Sequence, residues 1–320
     1  MATRMPAPPV EERLPRFDTS NILWYFGGIT AAYASFGVVA AVSPAHRGIW
    51  ILLVALAFMG IYGALAVVLR ATQWWVPGGI FAFVFVTLVP AVGAGFETLI
   101  GTLSPSSSGG GSVSVAGQAT QTSTFSDFRG SLFVLALATV VTGLIVYAFV
   151  DFAFVLLPTA IATVVTALFF LPAVDDNASG SDVATTLIVT GSLLVLVGLL
   201  RDKAGQRRSA FWWHVVGLGS VALGLVYFVG AEGDSGGWAA MLATALVVLL
   251  LAAPLGRATW AAYGVAGAYG PLVHYTFDGG GTWRIPLILV LIGLGAIALG
   301  LVLRLEADNW AARGRARLGL

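Results

Sequence analysis

No cysteine occurs anywhere in the 320 residues, so disulfides, thiolate metal sites and cysteine nucleophiles are excluded together. Charge is nearly as scarce. Asp, Glu, Lys and Arg make up 10% of the chain, where a soluble globular protein carries roughly 25%. Lys203 is the single lysine among sixteen basic residues, and the three histidines, His46, His214 and His274, lie far apart in sequence. No i, i+4 histidine pair exists, so no histidine-based metal motif is present. A chain this poor in polar surface cannot cover a water-exposed body. Ordinary cytosolic enzymes, nucleic-acid binders and disordered proteins are thereby excluded.

What the chain does have is apolar length. Hydrophobic residues make up 58% and the mean hydropathy is +0.92. A helix crossing about 30 Å of hydrocarbon needs roughly 20 apolar residues. Ten runs qualify: 22–42, 49–69, 76–98, 130–150, 152–173, 184–200, 211–230, 237–254, 258–277 and 285–303. The fold class this implies is all-α, a polytopic integral membrane helical bundle of about ten transmembrane helices. Residues 1–21 and 304–320 read as tails, 22–303 as the bundle, and 104–129 as a Gly/Ser-rich flexible outer loop. The N-terminal tail is Pro-rich with mixed charge, unlike the basic start of a secretory signal, so the first run reads as an uncleaved span. Over 130–173 the only charge is Asp151. As one helix that stretch would be about twice the bilayer thickness, so a hairpin turning at Asp151 is expected.

Orientation follows from the basic residues. With the N-terminus inside, alternation places Arg4, Arg13, Arg16, Arg70, Arg201, Lys203, Arg207, Arg208, Arg257, Arg304, Arg313, Arg315 and Arg317 on the cytoplasmic side. Only Arg47, Arg129 and Arg284 fall outside. This positive-inside bias puts both termini in the cytoplasm. Nine tryptophans, among them Trp24, Trp74, Trp212, Trp238 and Trp260, fall near span ends, and Trp310 lies in the juxtamembrane tail. That is the distribution of an aromatic belt. The Ala, Gly, Val and Leu bias suits a prokaryote, and the expected location is its cytoplasmic membrane. Five spans on each side of the acidic loop 174–183 would permit an inverted repeat of the transporter kind.

Candidate chemistry is sparse. No charged or amide side chain lies near the middle of any expected span, which weighs against proton relays and carboxylate-held metals. Glu97, His274, Asp278 and Arg284 are the groups that could meet at an outer mouth. Pro90, Pro158 and Pro271 interrupt apolar runs, and a proline frees the carbonyl four residues earlier. Such breaks can line a cavity. His214, beside Trp212 and Trp213, reads as an interfacial histidine bonded to headgroup or backbone. The loop 201–210, Arg-Asp-Lys-Ala-Gly-Gln-Arg-Arg-Ser-Ala, reads as a topology determinant touching anionic lipid. Gly264-x-x-Gly267-x-x-Gly270, Ala91-x-x-x-Gly95, Ala266-x-x-x-Gly270 and Ala296-x-x-x-Gly300 fit close packing between helices. Gly233-Asp234-Ser235-Gly236-Gly237 resembles the nucleophile segment of chymotrypsin-like serine proteases, but it joins two apolar helices and has no β-barrel around it. Gly217-x-Gly219 with Gly224 lies inside an apolar run and reads as packing, not as a phosphate loop.

The sequence therefore suggests a transporter or permease for a small neutral or amphipathic solute. Its alternative is a non-catalytic membrane subunit or scaffold. An enzyme is the least supported reading, with Glu97 and His274 its only pair. No cofactor and no metal are implied. The partners expected are the lipid bilayer and, in the scaffold reading, other membrane proteins or further copies of this chain; nucleic acid is not among them.

Overall fold

A computed structural model describes residues 19–41, 47–99, 123–174, 179–232 and 235–277. Within these residues the regular structure is helical throughout, as an apolar chain must be when its backbone groups find no water to bond. The helices are α1 (Thr19–Ala40), α2 (Arg47–Ala71), α3 (Trp75–Thr87), α4 (Val89–Leu99), α5 (Ser123–Val150), α6 (Leu156–Val174), α7 (Gly180–Lys203), α8 (Arg207–Glu232), α9 (Ser235–Leu255) and α10 (Ala258–Phe277). Among the described residues six stretches are long and apolar enough to cross a membrane: Gly48–Ala71, Trp75–Phe96, Leu132–Val150, Ala153–Phe170, Gly180–Lys203 and Arg207–Gly230. The chain divides into two compact units, Met1–Asp176 and Asn177–Leu320, at the acidic loop.

In the first unit α3 is the core helix. Ile80, Val84 and Val86 are almost fully buried, with Leu88, Phe152 and Val155 packed into the same cluster. Glycines set how closely its neighbours approach. A methyl group at Gly78 would lie 3.1 Å from the Ala66 carbonyl oxygen of α2, and one at Gly79 would enter the Phe152 ring. Gly95 of α4 brings that helix against the backbone of Leu52, where the Ala91-x-x-x-Gly95 spacing placed a close contact. The third apolar run is not one helix. α3 stops at Thr87, Leu88 makes a turn, and α4 restarts with Pro90 in its first turn, where a missing N–H costs nothing. α5 ends at Val150, and Asp151 takes a left-handed conformation (φ 49) that aspartate tolerates better than most residues. A single 3-10 turn, Ala153–Val155, then leads into α6, which returns along α5. Thr159 of α6 sits in the space left by Gly143 of α5.

The second unit is built from two antiparallel helix pairs, α7 with α8 and α9 with α10. The buried face of α7 is Ala184, Leu187, Gly191, Leu194 and Gly198. That alternating spacing of three and four is a heptad seam, with glycine or alanine at every second position. Facing it, Gly217 and Gly224 bring α8 to backbone contact. A methyl at Gly191 would lie 2.6 Å from the Gly217 carbonyl oxygen, and one at Gly224 would lie 2.8 Å from that of Ala184. Ser220 donates across the seam to the Leu187 carbonyl at 2.8 Å. Gly217 and Gly224 are thus packing residues. The α9–α10 pair repeats the principle. A methyl at Gly264 would lie 2.8 Å from the Leu249 backbone, and one at Gly267 would lie 3.2 Å from the Ala245 side chain. Ala266, by contrast, is exposed, so its spacing with Gly270 does not mark the packed face; Ala296 and Gly300 lie outside the described residues.

The two units pair their helices differently. In the first, α2 packs on α3 and α4 while α1 and α2 touch lightly. In the second, the leading pair α7–α8 is the tightest of all. An internal repeat in a five-helix register would make those two leading pairs alike.

Candidate functional site: a buried charge cluster at the basic end of the second unit

Two helix ends create this site. α7 and α9 run toward the same end of the second unit, and each stops on a left-handed glycine, Gly205 (φ 77) and Gly256 (φ 62). After α7, the Gly205 N–H donates to the Asp202 carbonyl at 3.0 Å and the Gln206 N–H to that of Arg201 at 2.9 Å. After α9, the Arg257 N–H donates to the Ala252 carbonyl at 3.1 Å. These are Schellman-type closures, in which glycine alone adopts the required φ without strain. They leave Asp202 in the last turn of one helix and Arg257 just beyond the end of another.

The seam between α7 and α8 supplies the third member. At Gly198 there is no side chain, and the His214 imidazole of α8 fills the space; a methyl there would lie 2.7 Å from its Cε1. Asp202 lies one turn beyond Gly198, and the His214 Nε2–H donates to its Oδ2 at 2.9 Å. Arg257 completes the carboxylate's coordination, with Nε donating to Oδ2 at 3.2 Å and Nη2 to Oδ1. Nη2 also donates to the Arg207 carbonyl at 2.9 Å. The side chains of His214, Asp202 and Arg257 retain 0%, 8% and 14% of their exposure, so all three are withdrawn from solvent. The Trp260 ring lies edge-on to His214, with centroids 5.5 Å apart.

One carboxylate therefore ties α7 to α8 through His214, and to the α9–α10 turn through a two-point arginine contact. Its chemistry is that of a lock. The other imidazole nitrogen, Nδ1, is buried with no hydrogen-bond partner among the described residues. The expectation of an interfacial histidine bonded to headgroup or backbone is corrected: His214 is fully buried and its partner is a carboxylate. Set against known protein families, curated proteins and solved structures, the chain matches none.

Of Glu97, His274, Asp278 and Arg284, His274 alone has a described side chain. It lies in the last turn of α10 and stacks on Trp238 of α9, centroids 4.4 Å apart and planes 14° from parallel. Glu97 is in α4 of the first unit, with its side chain outside the described residues, as are Asp278 and Arg284 entirely. Pro158 occupies the first turn of α6, a position where proline interrupts no helical bond. Pro271 lies inside α10 and is fully buried; a methyl at its neighbour Gly270 would lie 3.6 Å from the Met241 and Trp238 side chains. In the first unit, a recess of about 20 Å³ is lined by Arg70, Trp75, Val150, Asp151 and Phe152. That is room for one water molecule.

Proposed function

We propose that this chain is a non-catalytic multi-pass membrane subunit whose helices form a packed scaffold in a prokaryotic cytoplasmic membrane. The observation that carries the reading is the way its seams are filled. Gly191 and Gly217 put helix backbones in contact, Gly198 is occupied by His214, and Gly264 is occupied by the Leu249 backbone. Pro271 is buried among packed side chains, and Pro158 begins a helix. The charged cluster joins α7, α8 and the α9–α10 turn.

Ten crossings with both termini inside remain the preferred topology. Two features support it. In the second unit Arg201, Lys203, Arg207, Arg208 and Arg257 gather where α7 and α9 end and α8 begins. In the first, Arg70 at the end of α2 and Asp151 after α5 line one recess, and Trp24 stands edge-on to Trp74, centroids 6.5 Å apart. Alternating spans with a positive inner side and an interfacial tryptophan belt produce both arrangements.

A permease is the second reading. It draws on the interruption of the third apolar run at Leu88, beside Pro90, and on the division of the chain at Asp176. Extraction from the membrane into polymer nanodiscs, followed by mass measurement, separates the two. The subunit reading expects a particle containing more than one polypeptide, and no solute flux in liposomes holding this chain alone. A single 33.2 kDa chain per particle, or flux by that chain alone, would overturn it in favour of the permease.

A further inference from the structure

The lock at Asp202 has an effect on the surface around it. Along 201–210 Asp202 is the only acidic residue, and its carboxylate is turned inward to His214 and Arg257. It cannot neutralise its neighbours in sequence. Arg201 is held to the Gln206 side-chain oxygen at 2.5 Å, and Arg257 is spent on Asp202. Lys203, Arg207 and Arg208 are exposed and have no ion-pair partner among the described residues. Directly beyond them on α8 stand Phe211 and Trp212, ring against ring with centroids 4.9 Å apart. Three cations without an acidic partner among the described residues, next to an aromatic pair, match the two layers of a membrane surface, charged headgroups above and the acyl boundary below.

We infer that Lys203, Arg207 and Arg208 form a docking surface for anionic phospholipid headgroups, kept positive because Asp202 is sequestered by His214 and Arg257. This rests on the membrane reading given above. Each cation near an anionic bilayer is worth about fivefold in association, and lipids competing for the same annulus reduce the combined preference. Arg201 is already engaged and contributes less.

The test uses the full chain purified in mild detergent, with bound lipid counted by native mass spectrometry from an equimolar mixture of phosphatidylglycerol and phosphatidylcholine. Phosphatidylglycerol is expected to be retained in preference by about tenfold. K203Q/R207Q/R208Q brings the ratio close to one, whereas R201Q changes it less than about twofold. A salt arm needs no variant. Raising sodium chloride from about 0.1 to about 1 M shortens the screening length from about 10 to about 3 Å and should abolish most of the preference. A preference that survives the triple substitution, or that is insensitive to salt, overturns the inference and leaves the membrane reading intact. If alkaline carbonate strips the chain from membranes, both fall together.

Discussion

Replacing Asp202 by alanine is expected to cost about 3–5 kcal/mol of unfolding free energy, the range for removing one partner of a buried ion pair. The size follows from what is left behind. Arg257 loses both of its contacts to the carboxylate, and His214, fully buried, loses the only hydrogen bond its ring makes among the described residues. Neither can turn to water without opening the packing around Gly198 and Trp260. Unfolding in bicelles, followed by SDS titration, measures the loss. Arg257→Lys should show part of the same effect, because an ammonium cannot reproduce the two-point contact. In the double variant D202A/R257A the costs should fall short of additivity by about 1–3 kcal/mol, since the stranded cation is removed with its partner. A loss below about 1 kcal/mol for D202A would place the pair in the class of surface ion pairs and remove the lock from the account.

Substituting alanine for Gly191 is the second large effect, about 1–3 kcal/mol of destabilisation from overpacking. Here the obstruction is backbone on both sides. The added methyl would meet the Gly217 carbonyl oxygen at 2.6 Å and the Val221 amide nitrogen at 2.8 Å, and neither can rotate away as a side-chain tip could. Relief requires α7 and α8 to separate, which lengthens the Ser220 bond to Leu187 and pulls His214 away from Asp202. Gly60 provides the contrast. A methyl there has nothing within 4 Å, so Gly60→Ala should stay within about 0.5 kcal/mol of the parent. Equal effects at the two positions would mean that helix propensity, and not close contact, governs the glycines of this chain.

The parts of the fold legible in the sequence are those that depend on local pattern. Run length alone gives helices, and the single charge at Asp151 locates the break between α5 and α6. The Gly264 and Gly267 spacing marks a thin helix side, which α9 fills. The break at Leu88 was only half legible: Pro90 is visible, but apolar length argues for one continuous helix. The charge cluster has no local signature of its own. Asp202 and Arg257 are 55 residues apart, and each taken singly is an ordinary residue of a positive inner loop. Signals for it did exist. Gly205 and Gly256 end two apolar runs that point the same way, which puts Asp202 and Arg257 at one end of the bundle. Extending the heptad from Ala184 through Gly191 to Gly198 reserves a gap opposite His214. What no local pattern supplies is which helices are neighbours, and the cluster depends on that.

The absence of native cysteine makes one measurement unusually clean, because every thiol introduced is the only one present. Ala204, in the turn between α7 and α8, and Gly236, at the start of α9, are both exposed. The 26-residue α8 separates them, a rise of about 39 Å. Single variants A204C and G236C, treated in intact cells with a membrane-impermeant maleimide, report which side each end faces. A spanning α8 with its basic end inside predicts that G236C is labelled at once and that A204C is labelled only after permeabilisation. The reverse pattern would contradict the orientation, and equal labelling of both in intact cells would contradict the membrane-spanning bundle itself.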